Sequence, residues 1–202
     1  MNAFRAFRHA FASCALGLAL SGCGHMPVTS MVRLARLDLT STDPVGFRAA
    51  VRLPAAIKPL RDRVRLRIAV KLATGKEETQ DFRLTELSDP AELSSLRSEI
   101  EAGTKLFAFG LDPAEAARLT AFRDDLKKRQ AESGGRGGAI TISIAPEGCR
   151  VGELAPGAVL FTTYLRTAET GDYVPLARDV DMREIAPGRD LATEMPLCGR
   201  TG

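Results

Sequence analysis

The chain has 202 residues, 45% hydrophobic and 26% charged. That suits one folded domain with a core and excludes large-scale disorder. Its 28 basic and 25 acidic residues leave a net charge of +3, and Arg5 and Arg8 are the only charges in the first 22 positions. Beyond them, 26 basic groups face 25 acidic ones, so the basic surplus that nucleic-acid binding requires is missing and no such partner is expected. There is no Trp and only 5% of residues are aromatic, which counts against a stacking platform for bases or sugars. The two histidines are His9 and His25, so His-based acid–base catalysis, Ser-His-Asp triads and His-ligated zinc are excluded downstream.

Residues 1–9 hold two arginines and no acid, and residues 11–20 form a short apolar stretch. This is the pattern of an export signal, too short to span a bilayer, which needs about 20 residues. Leu20, Ser21, Gly22 and Cys23 follow directly. This run resembles the lipobox of bacterial lipoproteins, and the resemblance covers the signal alone. It implies that residues 1–22 are removed and that Cys23 carries a diacylglyceryl group, with a further acyl chain such as palmitate on its amine. The thiolate is the nucleophile in that chemistry. Each buried methylene contributes about 0.8 kcal/mol, so two or three chains hold a protein at a membrane. The resemblance also implies a bacterial cell-envelope location, with Gly24 favouring the periplasmic face of the outer membrane over the inner membrane. Residues 23–30 read as a tether no longer than about 25 Å.

Residues 31–202 read as a single β-rich domain. Residues 32–39 suggest a first strand of imperfect apolar phase, followed by a turn at 40–44. Phe47, Ala49, Val51 and Leu53 alternate with Arg48, Ala50 and Arg52, and Pro54 ends that strand. The clearest strand has Val64, Leu66, Ile68, Val70 and Leu72 on one side and a mostly basic other side that includes Arg63, Arg65 and Arg67. Residues 80–87 read as its hairpin partner, with Phe82 and Leu84 facing inward.

A helical insertion is expected over about 88–133. Ser88 or Asp89 caps a short helix from Pro90 to near Gly103, residues 104–111 form a strand, and Asp112-Pro113 with Glu115 opens a long helix to about Glu132. Leu119, Phe122 and Leu126 mark its apolar stripe. After a Gly-rich connection at 133–138, strands are expected around 140–144, 159–167 and 173–176, with an edge segment at 179–185 and a loop-like tail. About eight short strands favour a mainly β fold, an antiparallel immunoglobulin-like sandwich carrying the helical insertion. The alternative is an α+β layer with the long helix across one sheet.

Cys149 and Cys198 are the remaining cysteines of the exported chain and suit a structural disulfide in an oxidising envelope. Lys127, Lys128 and Arg129 end the long helix, where cations favour the helix dipole or touch anionic lipid headgroups. The arginine row on the second strand either meets acids on its neighbour or faces a partner. Asp172, Asp179, Asp181 and Glu184 gather near the end without a calcium-loop spacing. Loop 133–138 lacks the phosphate-binding pattern. No catalytic residue, metal or cofactor emerges beyond the covalent lipid on Cys23. The expectation is a non-enzymatic, membrane-anchored module that binds an envelope protein or stabilises an assembly. The alternative is a small-molecule or lipid carrier with its ligand between sheet and long helix. A hydrolase using carboxylates alone ranks last, since no facing pair of acids can be placed from sequence.

Overall fold

The computed structural model describes residues 26–34, 37–39, 41–71, 75–132, 139–185, 188 and 190–199. Cys23 and loop 133–138 lie outside them. The fold is mainly antiparallel β. Its strands are β1 (Arg48–Pro54), β2 (Ile57–Lys71), β3 (Glu77–Leu87), β4 (Thr104–Gly110), β5 (Ala139–Arg150), β6 (Leu160–Arg166) and β7 (Val174–Asp181). The α-helices are α1 (Val28–Leu34), α2 (Pro113–Glu132), α3 (Met182–Ile185) and α4 (Leu191–Glu194), with 3-10 helices at Pro44–Gly46 and Pro90–Glu99.

The seven strands form one sheet in the order β5-β2-β3-β4-β1-β6-β7. Strand β3 explains its shape. Its first part pairs with β2, Val64 opposite Leu84 and Lys71 opposite Glu77. Its last three residues pair instead with β4, Thr85 opposite Gly110 and Leu87 opposite Ala108. One strand therefore belongs to both halves and turns the corner between them. Strand β5 also comes into contact with β6 and β7 across the fold, which makes the sheet barrel-like. The pairing does not divide into the two separate sheets of the immunoglobulin-like sandwich expected from the sequence. Nor is 88–133 a simple insertion, because β4 within it pairs with both β1 and β3.

The inward alternation holds closely. Phe47, Ala49, Val51, Leu53, Val64, Leu66, Ile68, Phe82 and Leu84 are all buried in one core. Helix α2 starts as its sequence dictates: the Asp112 carboxylate accepts from the Glu115 backbone N–H at 2.9 Å. Ala116, Leu119 and Leu126 of α2 are buried. Phe122 packs on Phe82 with ring centroids 5.9 Å apart, and the Arg118 guanidinium lies 5.3 Å from the Phe82 centroid.

Three expected elements differ. The first strand is helix α1, opened where the Pro27 carbonyl accepts from the N–H groups of Ser30 and Met31. Its inward residues, Ser30 and Leu34, are four apart, which a helix places on one face. Helix α1 also begins inside the stretch expected to be tether. Strand β2 starts earlier than its alternation suggests, because its register against β5 slips between Pro59 and Val64. The separate edge segment at 179–185 is the end of β7 followed by α3.

Phe82 joins the sheet to α2, so Phe82→Ala should lower the unfolding free energy by about 3–5 kcal/mol. Urea unfolding checks this. A loss under about 1 kcal/mol would mean that the layer collapses around the deletion, contrary to the close packing described.

Candidate functional site

Two regions concentrate polar chemistry. The first covers the outward face of β1, β6 and β7. The 3-10 helix Pro90–Glu99 lies over this face as a strap, and its Leu93 and Leu96 pack with Ala50, Leu106, Tyr164 and Tyr173. Its capping residue Asp89 accepts from the Ala91 N–H. Beneath it sits Arg52, only 4% exposed. Its Nη1 donates to the Glu99 carbonyl at 3.0 Å and to the Glu101 carboxylate. Its Nη2 donates to Thr162 Oγ1 at 3.3 Å and to the Asp179 carboxylate. Asp179 has φ +52°, a left-handed conformation costly for a non-glycine residue.

Two carboxylates of the strap complete the fastening. Glu99 accepts from the Tyr164 hydroxyl at 2.8 Å and from Arg178 at 2.8 and 3.1 Å. Glu92 accepts from Arg48 at 3.2 Å and Arg166 at 2.6 Å. The Arg166 guanidinium is also 5.0 Å from the Tyr173 ring centroid. The hydrogen bond from Arg178 holds the Glu99 carboxyl below its ordinary range. Burial raises the Tyr164 hydroxyl and pushes Tyr173 up to about 12. Near neutral pH Glu99 is therefore ionised while Tyr164 keeps its proton. Such a pair binds the strap down and is poorly matched to proton transfer.

The second region is an open groove of about 640 Å³ at the β5 edge. Three segments build it. The register slip in β2, with Asp62 at φ +58°, brings Leu60, Arg61 and Arg63 to one wall. Gly148 of β5 contributes to the lining. A Cβ there would come 3.0 Å from Ile57 Cγ2 and 3.1 Å from the Lys58 carbonyl, so the close approach of β2 favours glycine. The tail supplies the other wall through Met195 and Pro196. Cys149 and Cys198 are joined, with Cα atoms 5.0 Å apart. The Arg150 N–H donates to the Pro196 carbonyl and the Cys198 N–H to the Arg150 carbonyl, each at 2.9 Å. The Arg150 side chain bonds the carbonyls of Ala192 and Met195, each at 3.2 Å.

The residues singled out from sequence are dispersed. Lys127 and Lys128 are exposed, but Arg129 is engaged by Glu78 and by Asp125. In the arginine row, Arg67 holds Asp81 through two contacts of 2.8 Å. Arg63 faces Glu147 at 3.6 Å, and Arg65 bonds the Asp62 carbonyl. Asp181 accepts from the backbone N–H groups of Val159 and Arg183, and those bonds hold its carboxyl below the ordinary range. Asp179 turns instead to Arg52. Among the described residues, no three His, Cys, Asp or Glu side chains group as a metal site.

Sequence reading missed both regions. The strap contacts span 44 to 79 residues of chain and the Arg52–Asp179 contact beneath it 127, beyond the reach of local patterns. For the groove, only the cysteine pair was a usable signal. No family model, curated protein or solved structure matches the chain.

Glu99 is more acidic folded than unfolded. Its contribution is complete above the ordinary glutamate range and disappears as pH falls from there through the lowered folded value. Glu99→Gln should reduce stability at pH 7 by about 1–3 kcal/mol and flatten the acid limb of the stability–pH curve. Calorimetry from pH 7 to acid tests it, and an unchanged acid limb would contradict it. Replacing both Cys149 and Cys198 by Ser should cost about 3–4 kcal/mol by loop entropy, read by urea unfolding without reductant, and should expose the tail to protease. Unchanged stability and protection would show that the backbone bonds to Arg150 hold the tail by themselves.

Proposed function

We propose that this chain is a bacterial lipoprotein, acylated at Cys23 and held on the cell envelope, whose domain acts without catalysis by receiving a segment of an envelope protein in the β5-edge groove. The run Leu20-Ser21-Gly22-Cys23 supports the anchor. The groove is the observation that carries the binding role. Its lining sets apolar Leu60, Leu191 and Met195 beside charged Arg61, Arg63, Glu147 and Glu194, with Arg63 already facing Glu147. Apolar contact area beside charges of both signs suits recognition of a polypeptide segment. The outer membrane's periplasmic face is the favoured location, since Gly24 follows the lipid-bearing cysteine.

The carrier alternative would seat its ligand between sheet and α2. Leu119, Leu126, Phe82 and Phe122 fill that layer with direct packing, which favours the binding module.

A photo-crosslinking amino acid at position 61, in cells, should give a discrete adduct with an envelope protein. The same group at position 127 should not. Absence of any adduct from positions 61 and 195, with the protein correctly localised, would refute the binding role. Cys23→Ser should move the chain from the membrane to the soluble fraction. Undiminished membrane retention would refute the anchor.

A further inference from the structure

Helix α1 packs on the domain through Ser30 and the partly buried Leu34, yet leaves apolar residues on its outer side. It buries Ser30, 1% exposed, and turns Met31 and Val32 outward, 47% and 59% exposed. The Ser30 hydroxyl has no hydrogen-bond partner among the described residues. An amphipathic helix beside water places its apolar residues inward. The other exposed large apolar side chains among the described residues occur singly along the chain, and single ones are ordinary. Met31 and Val32 are consecutive, and exposed Arg33 follows them.

Position supplies the occupant. Val28, the first residue of α1, is five residues beyond Cys23. Five extended residues reach at most about 18 Å. A lipid chain on Cys23 therefore keeps the start of α1 within about 18 Å of the bilayer, close enough to touch it. An apolar side with a flanking cation is the chemistry of a helix lying at a membrane interface.

We propose that α1 is the bilayer-facing element, with Met31 and Val32 seated at the boundary between lipid headgroups and acyl chains and Arg33 among the headgroups. This rests on the lipoprotein reading above. It assigns the membrane contact to α1, in place of the exposed Lys127 and Lys128 at the end of α2. It also fixes orientation: the lipid surface meets the side of the domain where α1 packs against β7.

The chain contains no Trp, so Val32→Trp gives a single indole as a depth probe. The acylated protein, purified from membranes, is reconstituted into vesicles of phosphatidylethanolamine and phosphatidylglycerol carrying doxyl-labelled chains. The indole at 32 should shift its emission to shorter wavelength and be quenched by the doxyl lipids. An indole from Lys127→Trp should stay water-like. Should Val32→Trp fail to fold by circular dichroism, Met31→Trp gives the same readout. Water-like emission at both 31 and 32 in protein that stays on the vesicles overturns the docking of α1 while leaving the anchor standing. Quenching at 127 without quenching at 32 also overturns it. If mass spectrometry finds Cys23 unmodified and the chain does not associate with vesicles, the lipoprotein reading itself fails and takes the docking with it.

Discussion

A guanidinium buried on a β-strand governs one half of this fold. Moving Arg52 out of water costs several kcal/mol unless its donors are satisfied. Here the Glu101 and Asp179 carboxylates, the Glu99 carbonyl and the Thr162 hydroxyl meet it together. Those partners come from the strap's end, β6 and β7. The charge that is costly to bury is therefore also the point at which three separate segments are pinned. The left-handed Asp179 fits the same account, since a strained backbone persists where its surroundings over-determine it. Of the neighbouring clamps, Glu92 carries two positive partners, Arg48 and Arg166, and Glu99 carries Arg178 with the Tyr164 hydroxyl. With them in place, both faces of β1 are covered.

This explains what was legible in the sequence. The inward residues of β1, β2 and β3 follow a period of two, and burial obeys it because one face must leave water. The outward residues of β1 follow the same period, which assigns Arg48, Ala50 and Arg52 to solvent. That default fails because the strap covers them, and its partners lie far along the chain. Helix α2 was readable because its signals are local: the Asp112 carboxylate accepts from the Glu115 N–H of the first turn, and Pro113 occupies the first position, where no N–H is needed. Helix α1 was not readable, because Met31 and Val32 face outward while its inward side pairs a serine, Ser30, with Leu34. The immunoglobulin-like expectation failed at β3. Strand alternation says which residues face the core, but not that one strand crosses between two halves.

The groove was hidden for a different reason. A register slip is a property of two strands together, and β2 alone gives little hint that Asp62 interrupts its pairing with β5. Gly148 becomes meaningful only once Ile57 and the Lys58 carbonyl are beside it. Cys149 and Cys198 did point to a link between this edge and the tail. They could not reveal that Arg150 would bind the tail through both its backbone and its side chain.

The ends of the sheet unite these features. A continuous sheet has two terminal strands, here β5 and β7, and exposed strand edges invite pairing with other chains. Membrane confinement would raise the frequency of such encounters by concentrating molecules on a surface. At β5, the tail forms a parallel bridge between Arg150 and Leu197 and is bonded through Cys198. At β7, a bulge interrupts the register, α1 packs against the strand and α3 continues from its end. The tail that shields β5 is also a wall of the groove, and the helix that packs on β7 is the element nearest Cys23. In the binding and docking proposed above, edge protection and contact with the surroundings fall to the same two terminal segments. A protein held at a membrane can keep its sheet from pairing with its neighbours while offering the pieces that cover its edges for binding.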